Sequence, residues 1–420
     1  MKFKKTVLDN GIRVLSEHHA ESRCVVTGFW IETGTRFEAP HQIGISHLLE
    51  HMVFKGTEKY SAFELARCLE AVGGDINAFT AREHTCFHTT SLNEHLDLSV
   101  EVLAQLTAFA KFNEKEFLKE KKVVQQEIMM AADDLEEYAY DLYFEELFPG
   151  DPLGYQILGS IESVESMQVS DIQKYYSENF HPQNLIVTAS GSVDHEALVE
   201  SIEKHLVGKQ WGTPAPKKKV ITPKQQKVRT LFEKDCEQYH IIAGFPACSY
   251  SDDDRFDGFV LNTTLGGGMT SKLYQSVREE RGLVYSIFSM LNTFVDCGMQ
   301  TIYAGTERNH VEEVIELIQK ELTSLLDKGI SKEDVELYKT QAKGQIIIGA
   351  EDIDSRMNSL AVNEMVFQKY RSVEQVVSDI DKVSVESVHK YIKDKVDLEN
   401  LSLFVLGPKD DKLKEYIKNC

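Results

Sequence analysis

The chain has 420 residues, 27% of them charged, and a formal net charge of −21. This length allows about two to four domains, each with a core of its own. The negative charge argues against nucleic acid as a partner, because phosphate binding requires the opposite sign. We expect no membrane span, since no apolar run approaches the roughly 20 residues that one requires.

The N-terminal sequence M-K-F-K-K-T-V lacks the apolar segment of a signal peptide. Seven cysteines, an odd number without a C-x-x-C spacing, indicate reduced and mostly structural thiols. Both observations predict a cytoplasmic protein. The acidic surplus could attract basic peptides, although solubility alone would also explain it.

Apolar and β-branched runs predict ten strands separated by helical segments. In chain order, the strands are expected at 13–15, 25–33, 75–79, 85–91, 185–190, 230–232, 239–245, 286–292, 298–304 and 401–406. Amphipathic helices are predicted to begin at His95 and His310. Each is followed by a second long helical stretch, Glu114 to about Phe148 and Lys332 to about Phe367. The pattern indicates an α+β class, in which helices cover a mainly antiparallel sheet largely on one face.

A run with three prolines and several lysines, from Trp211 to Lys227, has the composition of an exposed linker. The strand at Val25 and the helix at His95 both recur about 215 residues later, on the other side of this run. Such a repeat predicts two copies of one fold. We therefore expect a metal-binding domain at 1–210, a linker at 211–227 and a homologous domain at 228–420.

The sequence H-L-L-E-H, from His47 to His51, is the strongest indication of chemistry. On a helix, the two histidines lie about 40° apart, so both imidazoles can reach one metal ion. Glu50, about 60° to the other side of His47, is close enough to hold a water molecule. Zinc accepts such ligands and keeps one position open in catalytic sites. Glu127, on a later helix, offers a third ligand.

The alternative to a metal site is an amphipathic helix whose histidines face solvent or are satisfied in the core. The apolar neighbours of the motif favour the metal, since buried histidines need partners. The second half of the chain lacks this set of residues. Where the first half has the motif, it has Asn262, Leu265 and Gly266, and no carboxylate occurs near Ala342, the counterpart of Glu127.

These segments resemble the pitrilysin or inverzincin family of zinc metallopeptidases, specifically its half-sized branch, which includes the β-subunit of mitochondrial processing peptidase and bacterial processing-peptidase-like proteins. The matching segments are T-G-T-R-F-E from Thr33, G-I-S-H-L-L-E-H-M-V-F-K-G-T from Gly44, G-G-D-I-N-A-F-T from Gly73, E-K-K-V-V-Q-Q-E from Glu120 and L-G-G-G-M-T-S-K-L-Y-Q-S-V-R-E-E-R-G-L-V-Y-S from Leu265. The resemblance covers essentially the whole chain.

The resemblance implies that His47, His51 and Glu127 bind one zinc ion per chain. Glu50 would act as general base for a zinc-bound water. Glu120 matches a further carboxylate of the family, which could orient a ligand histidine through its other ring nitrogen. The alternative for Glu120 is a surface position in a highly charged helix.

A second set of residues is implied to act on the substrate. The family's substrate-binding edge strand matches Asn77, Ala78, Phe79 and Thr80. An extended peptide can add to such an edge through backbone hydrogen bonds, although a plain core strand would also suit this sequence. Arg278 and Tyr285 match an arginine–tyrosine pair that is suited to stabilise an oxyanion.

The implied function is a zinc-dependent endopeptidase that cleaves peptides or unfolded segments in an enclosed chamber. Full-length relatives have four such domains in two bowls, so we expect this chain to form a homodimer. Each site would then combine zinc and Glu50 of one chain with Arg278 and Tyr285 of its partner. The alternatives are a non-catalytic assembly subunit, which characteristically loses residues that this chain retains, or one half of a heterodimeric peptidase.

Overall fold

The computed structural model describes residues 2–214 and 221–420. They form two compact units, each built on one sheet. The first unit takes its described residues from Met1–Met130, Gly150–Val220 and Gly349–Tyr370, and the second from Ala131–Pro149, Ile221–Ile348 and Arg371–Cys420. Residues 215–220 of the predicted linker lie outside the described residues.

Eleven strands occur in the described residues. They are β1 (Lys2–Val7), β2 (Arg13–His18), β3 (Cys24–Ile31), β4 (Asp75–Thr80), β5 (Thr85–Leu92), β6 (Leu185–Gly191), β7 (Arg229–Glu233), β8 (Tyr239–Ala247), β9 (Val284–Thr293), β10 (Gly298–Thr306) and β11 (Ser402–Gly407). Each of the ten predicted strand segments coincides with one of β2–β11, although the segment 25–33 ends two residues beyond β3 and the segment 401–406 begins one residue before β11. The strand β1 was not predicted, because its alternating lysines lie at an exposed sheet edge rather than in a core.

The described residues also contain fifteen α-helices. They are α1 (Ile45–Val53), α2 (Ala62–Glu70), α3 (Leu96–Ala108), α4 (Glu114–Ala131), α5 (Leu135–Leu147), α6 (Ile161–Ser166), α7 (Val169–Asn179), α8 (His195–Leu206), α9 (Arg255–Gly266), α10 (Val311–Lys328), α11 (Lys332–Gly349), α12 (Ile353–Phe367), α13 (Val373–Asp381), α14 (Val385–Lys395) and α15 (Asp411–Asn419). No helix in these parts of the chain combines the length and the apolar character that a bilayer span requires.

The two sheets have the same kind of topology. The first has the order β1-β2-β6-β3-β5-β4 and the second β7-β11-β8-β10-β9. Each contains one parallel pair, β2 with β6 and β7 with β11, and is otherwise antiparallel. This mixed architecture of two helix-covered sheets confirms the predicted α+β class.

Each predicted long helical stretch is divided into two helices. The side chain of Asp134 accepts hydrogen bonds from the backbone N–H groups of Glu136 and Glu137, and so begins α5 as a new helix. Asp352 begins α12 in the same way. The two helices of each stretch then join different units, since α4 and α12 belong to the first and α5 and α11 to the second.

The helix α12 belongs to the first unit although it lies between two segments of the second unit in the sequence. We call it the exchanged helix. It covers the face of the first sheet opposite the main core of that unit. Along β3, Val25 and Phe29 point into that main core, whereas Val26 and Trp30 pack with Met357 of α12. A buried ion pair adds a polar contact, because the Arg356 guanidinium of α12 donates to both carboxylate oxygens of Glu17. The first unit is therefore completed by a helix that follows it by more than one hundred residues in the sequence.

Candidate metal centre

The helix α1 begins in an unusual way, because no side chain at its N-cap position forms the cap. Gly44 holds that position with a φ of 90°, and a Cβ atom there would lie 2.7 Å from the carbonyl oxygen of Leu158. The buried carboxylate of Glu38 instead accepts hydrogen bonds from the backbone N–H groups of Gly44 and Ser46, both at 2.8 Å. A carboxylate at this end also complements the helix dipole, so Glu38 fixes the start of α1.

The two faces of α1 differ in burial. The buried residues of this helix are Ile45, Ser46, Leu48, Leu49, Met52 and Val53. His47 and His51 lie outside this buried set, with side chains that are 12% and 19% exposed. Packing of the apolar face in the core therefore turns both imidazoles toward one partly enclosed site.

The helix α4 brings a carboxylate to this pair of histidines. The Oε2 atom of Glu127 lies 3.8 Å from Nε2 of His47 and 3.3 Å from Nε2 of His51. One ligand atom from each of the three residues lies within 4.8 Å of the other two. Across residues 2–214 and 221–420, no other group of three or more histidine, cysteine or acidic side chains is arranged in this way.

The donor atoms fit a zinc ion. The Glu127 Oε2 atom, although buried, forms no hydrogen bond with any described residue. A buried carboxylate oxygen without a partner is costly, and a cation between the three side chains would satisfy it. Two imidazole nitrogens and one carboxylate oxygen are the protein ligands of a common class of catalytic zinc sites.

Burial also affects the protonation of His47. It lowers the pKa of His47 to about 4, and the neighbouring His51 adds to this effect. The imidazole of His47 is therefore neutral at pH 7, which is the form that binds a metal ion.

Glu120 contacts the outer side of this site. Its Oε2 atom lies 3.2 Å from Nδ1 of His51, the ring nitrogen that faces away from Glu127. Its Oε1 atom lies 2.8 Å from Nζ of Lys55, one helical turn beyond His51. Glu120 thus lies between a histidine of the candidate site and a cation that balances its charge, and it is not the surface residue of the alternative interpretation.

Glu50 lies beside the edge of the first sheet. Burial raises the pKa of Glu50, whereas a hydrogen bond from the Thr80 hydroxyl to its Oε2 atom acts in the opposite direction. Thr80 is the last residue of β4, which is the edge strand of the sheet. Along β4, Asn77 and Phe79 are exposed. The predicted substrate strand is thus an edge strand that leads to Glu50.

Arg278 and Tyr285 lie together in the second unit. Arg278 is in a π-helical segment, Tyr274–Glu279, and Tyr285 follows at the start of β9. The Arg278 guanidinium lies 4.9 Å from the ring centre of Tyr274 and 5.6 Å from that of Tyr285. Tyr285 is 81% exposed. The structure therefore pairs these residues and presents the tyrosine to solvent.

The second unit uses the position of the metal motif for a different purpose. The Oδ1 atom of Asn262 accepts hydrogen bonds from the Ser289 hydroxyl at 2.9 Å and from Nε2 of Gln300 at 2.7 Å. These contacts join α9 to the sheet. Asn262, which takes the place of His47 in the repeat, is therefore structural.

Three contacts of the site were not predicted from the sequence. They are Glu38 at the start of α1, Lys55 on Glu120 and Thr80 on Glu50. Lys55 follows His51 by four residues, so helical periodicity could have placed the two side chains on one face. Glu38 and Thr80 reach the site through loop and sheet geometry, for which the sequence contains no spacing rule.

Comparison with known proteins places this site in a family. The family model described as insulinase (peptidase family M16) matches residues 13–160, and the model described as peptidase M16 inactive domain matches residues 166–342. The Bacillus subtilis protein named uncharacterized zinc protease YmxG is 33% identical over 409 residues, which cover 97% of this chain and 98% of that protein. A Mycobacterium leprae protein, also named an uncharacterized zinc protease, is 34% identical over 389 residues, which cover 92% of this chain and 87% of that protein.

Solved structures show the same fold. A protease from Helicobacter pylori has a TM-score of 0.88 and 21% identity, and the alignment covers 97% of this chain and 99% of that chain. The peptidase M16 inactive domain from Pseudomonas fluorescens has a TM-score of 0.89 and 16% identity, with 98% of each chain covered. The sequence matches extend over both halves of the chain and agree with the predicted resemblance. The chain therefore belongs to the insulinase (peptidase M16) family, in its half-sized branch.

Proposed function

We propose that this protein is a zinc-dependent endopeptidase that cleaves peptides or unfolded segments bound as an extended strand. The observation that carries the proposal is the cluster of one possible ligand atom each from His47, His51 and Glu127. In this cluster the buried Oε2 atom of Glu127 has no hydrogen-bond partner among the described residues. The relatives that are named zinc proteases support it. His47, His51 and Glu127 would hold one zinc ion per chain.

Glu50 would be the general base of the reaction. A bound zinc ion would supply a Lewis acid that activates water and polarises the scissile carbonyl. Glu50 accepts a proton from the attacking water and then donates it to the leaving amine. The direction of its pKa shift suits this role, because a carboxylate with a raised pKa transfers protons more readily near neutral pH. Thr80 holds the carboxylate in place through its hydroxyl group.

The edge strand β4 would bind the substrate. A peptide that adds to a sheet edge is held by backbone hydrogen bonds, so the site accepts many sequences in extended form and rejects folded chains. Asn77, Ala78, Phe79 and Thr80 form the last four residues of this strand. Since Thr80 contacts Glu50, a peptide that runs along β4 brings its backbone to the general base.

We also propose that the active form is a homodimer with composite sites. The chain retains both the metal-binding residues and the Arg278–Tyr285 pair, one set in each unit. Arg278 and the hydroxyl of Tyr285 would stabilise the oxyanion that forms at the site of the partner chain. A test is to mix two inactive variants, Glu50→Gln and Tyr285→Phe. Activity in the mixture supports shared sites, whereas no activity despite demonstrated subunit exchange would contradict them.

The catalytic proposal is tested with peptide hydrolysis and metal analysis on the same samples. Glu50→Gln should abolish cleavage of an unstructured peptide library and keep the zinc content, because Glu50 is not among the ligands. Glu58→Gln, an exposed position close by in the sequence, is the matched control and should cleave normally. Equal cleavage by Glu50→Gln and the wild type would show that Glu50 is not the base.

A cytoplasmic location is also proposed. None of the seven cysteines, all of which lie in the described residues, forms a disulfide, and Cys86, Cys248 and Cys297 are buried. Proteins in a reducing compartment keep such thiols without forming disulfides. Fractionation of cells with an antibody to the protein would test this location.

A further inference from the structure

A buried lysine attaches the helix α4 to the helix α6. Lys121 is only 6% exposed, and its Nζ atom lies 2.5 Å from the carbonyl oxygen of Glu165 and 3.2 Å from that of Met167. These carbonyls end α6 and have no partners within that helix. An ammonium group at this end also complements the helix dipole. We call Lys121 and these two carbonyl oxygens the α4 clamp.

A second contact extends the attachment by one helical turn. The Nε2 atom of Gln125 donates to a carboxylate oxygen of Glu165 at 2.9 Å. Two successive turns of α4 are therefore joined to the same residue of α6. This arrangement restricts both rotation of α4 about its axis and sliding along it.

The helix α6 is joined at its other side to the start of α1. The hydroxyl of Ser163 donates to the carbonyl oxygen of Ile43 at 2.8 Å, immediately before Gly44. Gly44 itself packs against the segment that leads into α6, near Gly159. The same short helix thus contacts both elements that carry candidate metal ligands, α1 with its histidines and α4 with Glu127.

The second unit contains a similar clamp without a metal site in its described residues, and here the lysine contacts one carbonyl oxygen and also the carboxylate of Glu336. Lys339 of α11 is also 6% exposed, and its Nζ atom lies 3.0 Å from the carbonyl oxygen of Asp381, the last residue of α13. Lys343, one turn further on, binds the Asp381 carboxylate at 2.6 Å. In the first unit, the residue before the clamp lysine is the acidic Glu120. In the second unit it is Tyr338, whose hydroxyl donates to the backbone carbonyl of Thr270. The duplicated clamp therefore has a structural use that does not depend on metal.

We propose that Lys121 is a positioning residue for the metal centre, so that it adds to the zinc affinity as well as to the stability of the fold. The inference rests on the proposed zinc site. Glu127 follows Lys121 by six residues, about 9 Å along the helix axis. Ligand distances at a zinc site tolerate deviations of only about 0.2 Å. A helix released from the α4 clamp would present Glu120 and Glu127 to the histidines over a range of positions, and this would weaken binding.

The two clamps allow a matched comparison of variants. Lys121→Met and Lys339→Met each remove one buried ammonium group and keep an unbranched chain. Zinc affinity is measured by competition with a chromophoric chelator, and thermal unfolding is measured in the presence of EDTA. Both variants should lower the unfolding temperature of the metal-free protein to a similar extent. Only Lys121→Met should weaken zinc binding, by about tenfold or more, and Lys121→Arg should recover part of the loss.

The outcomes separate this inference from the proposed function. Wild-type protein that binds no zinc would contradict the metal centre itself. Wild-type affinity in Lys121→Met, or an equal loss in Lys339→Met, would overturn the positioning role while leaving the zinc site intact. If Lys121→Met does not fold, Gln125→Ala provides the test, because this half-buried side chain contacts α6 without lying in the core. It should weaken zinc binding by less than Lys121→Met does, and unchanged affinity would overturn the inference.

Discussion

The Oε2 atom of Glu120 lies 3.2 Å from the Nδ1 atom of His51, on the side of the imidazole that faces away from Glu127. A carboxylate in this position accepts a hydrogen bond from Nδ1 and leaves the lone pair of Nε2 for a metal ion. The positively charged ammonium group of Lys55 contacts the other oxygen of Glu120. The structure therefore selects one tautomer of His51 before any metal binds.

Replacement of this carboxylate should weaken zinc binding. We expect Glu120→Gln to lower the zinc affinity about 10- to 100-fold, because an amide holds the imidazole less firmly and no longer pairs with Lys55. Chelator competition at pH 7 measures the effect. Glu116→Gln, on the same helix but in an exposed pair with Lys119, is the control and should bind zinc normally. An equal affinity of the two variants would contradict the role of Glu120.

Loss of the cap on α1 should reduce both stability and metal binding. Glu38→Gln removes the charge and one of two acceptors at the helix start, so we expect a loss of about 1–3 kcal/mol in the free energy of unfolding. Urea denaturation in EDTA measures this change. The control Asp194→Ala removes the N-cap of α8, which accepts a hydrogen bond from the backbone N–H of Ala197, and should reduce stability by about 0.5–2 kcal/mol without changing zinc affinity. Normal zinc binding by Glu38→Gln would show that the start of α1 does not position the histidines.

Metal removal should lower the thermal stability of the wild type. A ligand that binds only the folded state at 100 times its dissociation constant adds about 2.7 kcal/mol. Zinc should therefore raise the unfolding temperature of the wild type, and EDTA should reverse the shift. The variant His47→Asn with His51→Asn provides the reference. A zinc-dependent shift that persists in this double variant would place the metal elsewhere.

The stability of the metal-free protein should decrease in mild acid. Burial lowers the pKa of His84 to about 4 in the folded state, from 6.5 in an exposed histidine. Between these values the unfolded chain binds more protons than the folded one, so the free energy of unfolding falls as the pH is lowered from 6.5 to 4. The contribution of His84 is at most about 3 kcal/mol.

Urea denaturation of the metal-free protein at several pH values would measure this decrease. The variant His84→Gln should show a smaller decrease than the wild type, because glutamine does not titrate. The same pH dependence in both proteins would contradict the buried neutral state of His84. His47, whose folded pKa is also about 4, should account for much of the decrease that remains.

Local patterns predicted the strands and placed His47 and His51 on one face of a helix, where the structure brings them together with Glu127. The strands β2–β11 have strong apolar signals, and the spacing of His47, Glu50 and His51 is a property of one helix. The division of the long helical stretches depends on hydrogen bonds of Asp134 and Asp352 to backbone N–H groups. Such caps occur at many aspartates in charged segments, so the sequence did not single out these two.

The partners of the site residues were harder to predict for a related reason. The contact of Glu50 with Thr80 joins a helix to a sheet edge, and Glu38 reaches α1 from a loop. Both depend on the tertiary fold rather than on periodicity. Lys121 shows the same limit, since a lysine in the charged run E-K-K gives no sign of burial.

The exchange of α12 has a consequence for how the chain must be synthesised and folded. A nascent chain that has left the ribosome only as far as the linker would already contain β2 and β3. The carboxylate of Glu17 would then lack its partner Arg356, and the ring of Trp30 would lack its contact with Met357. One face of the first sheet would therefore stay uncovered until α12 leaves the ribosome. Expression of the N-terminal half alone should therefore yield a species prone to aggregation.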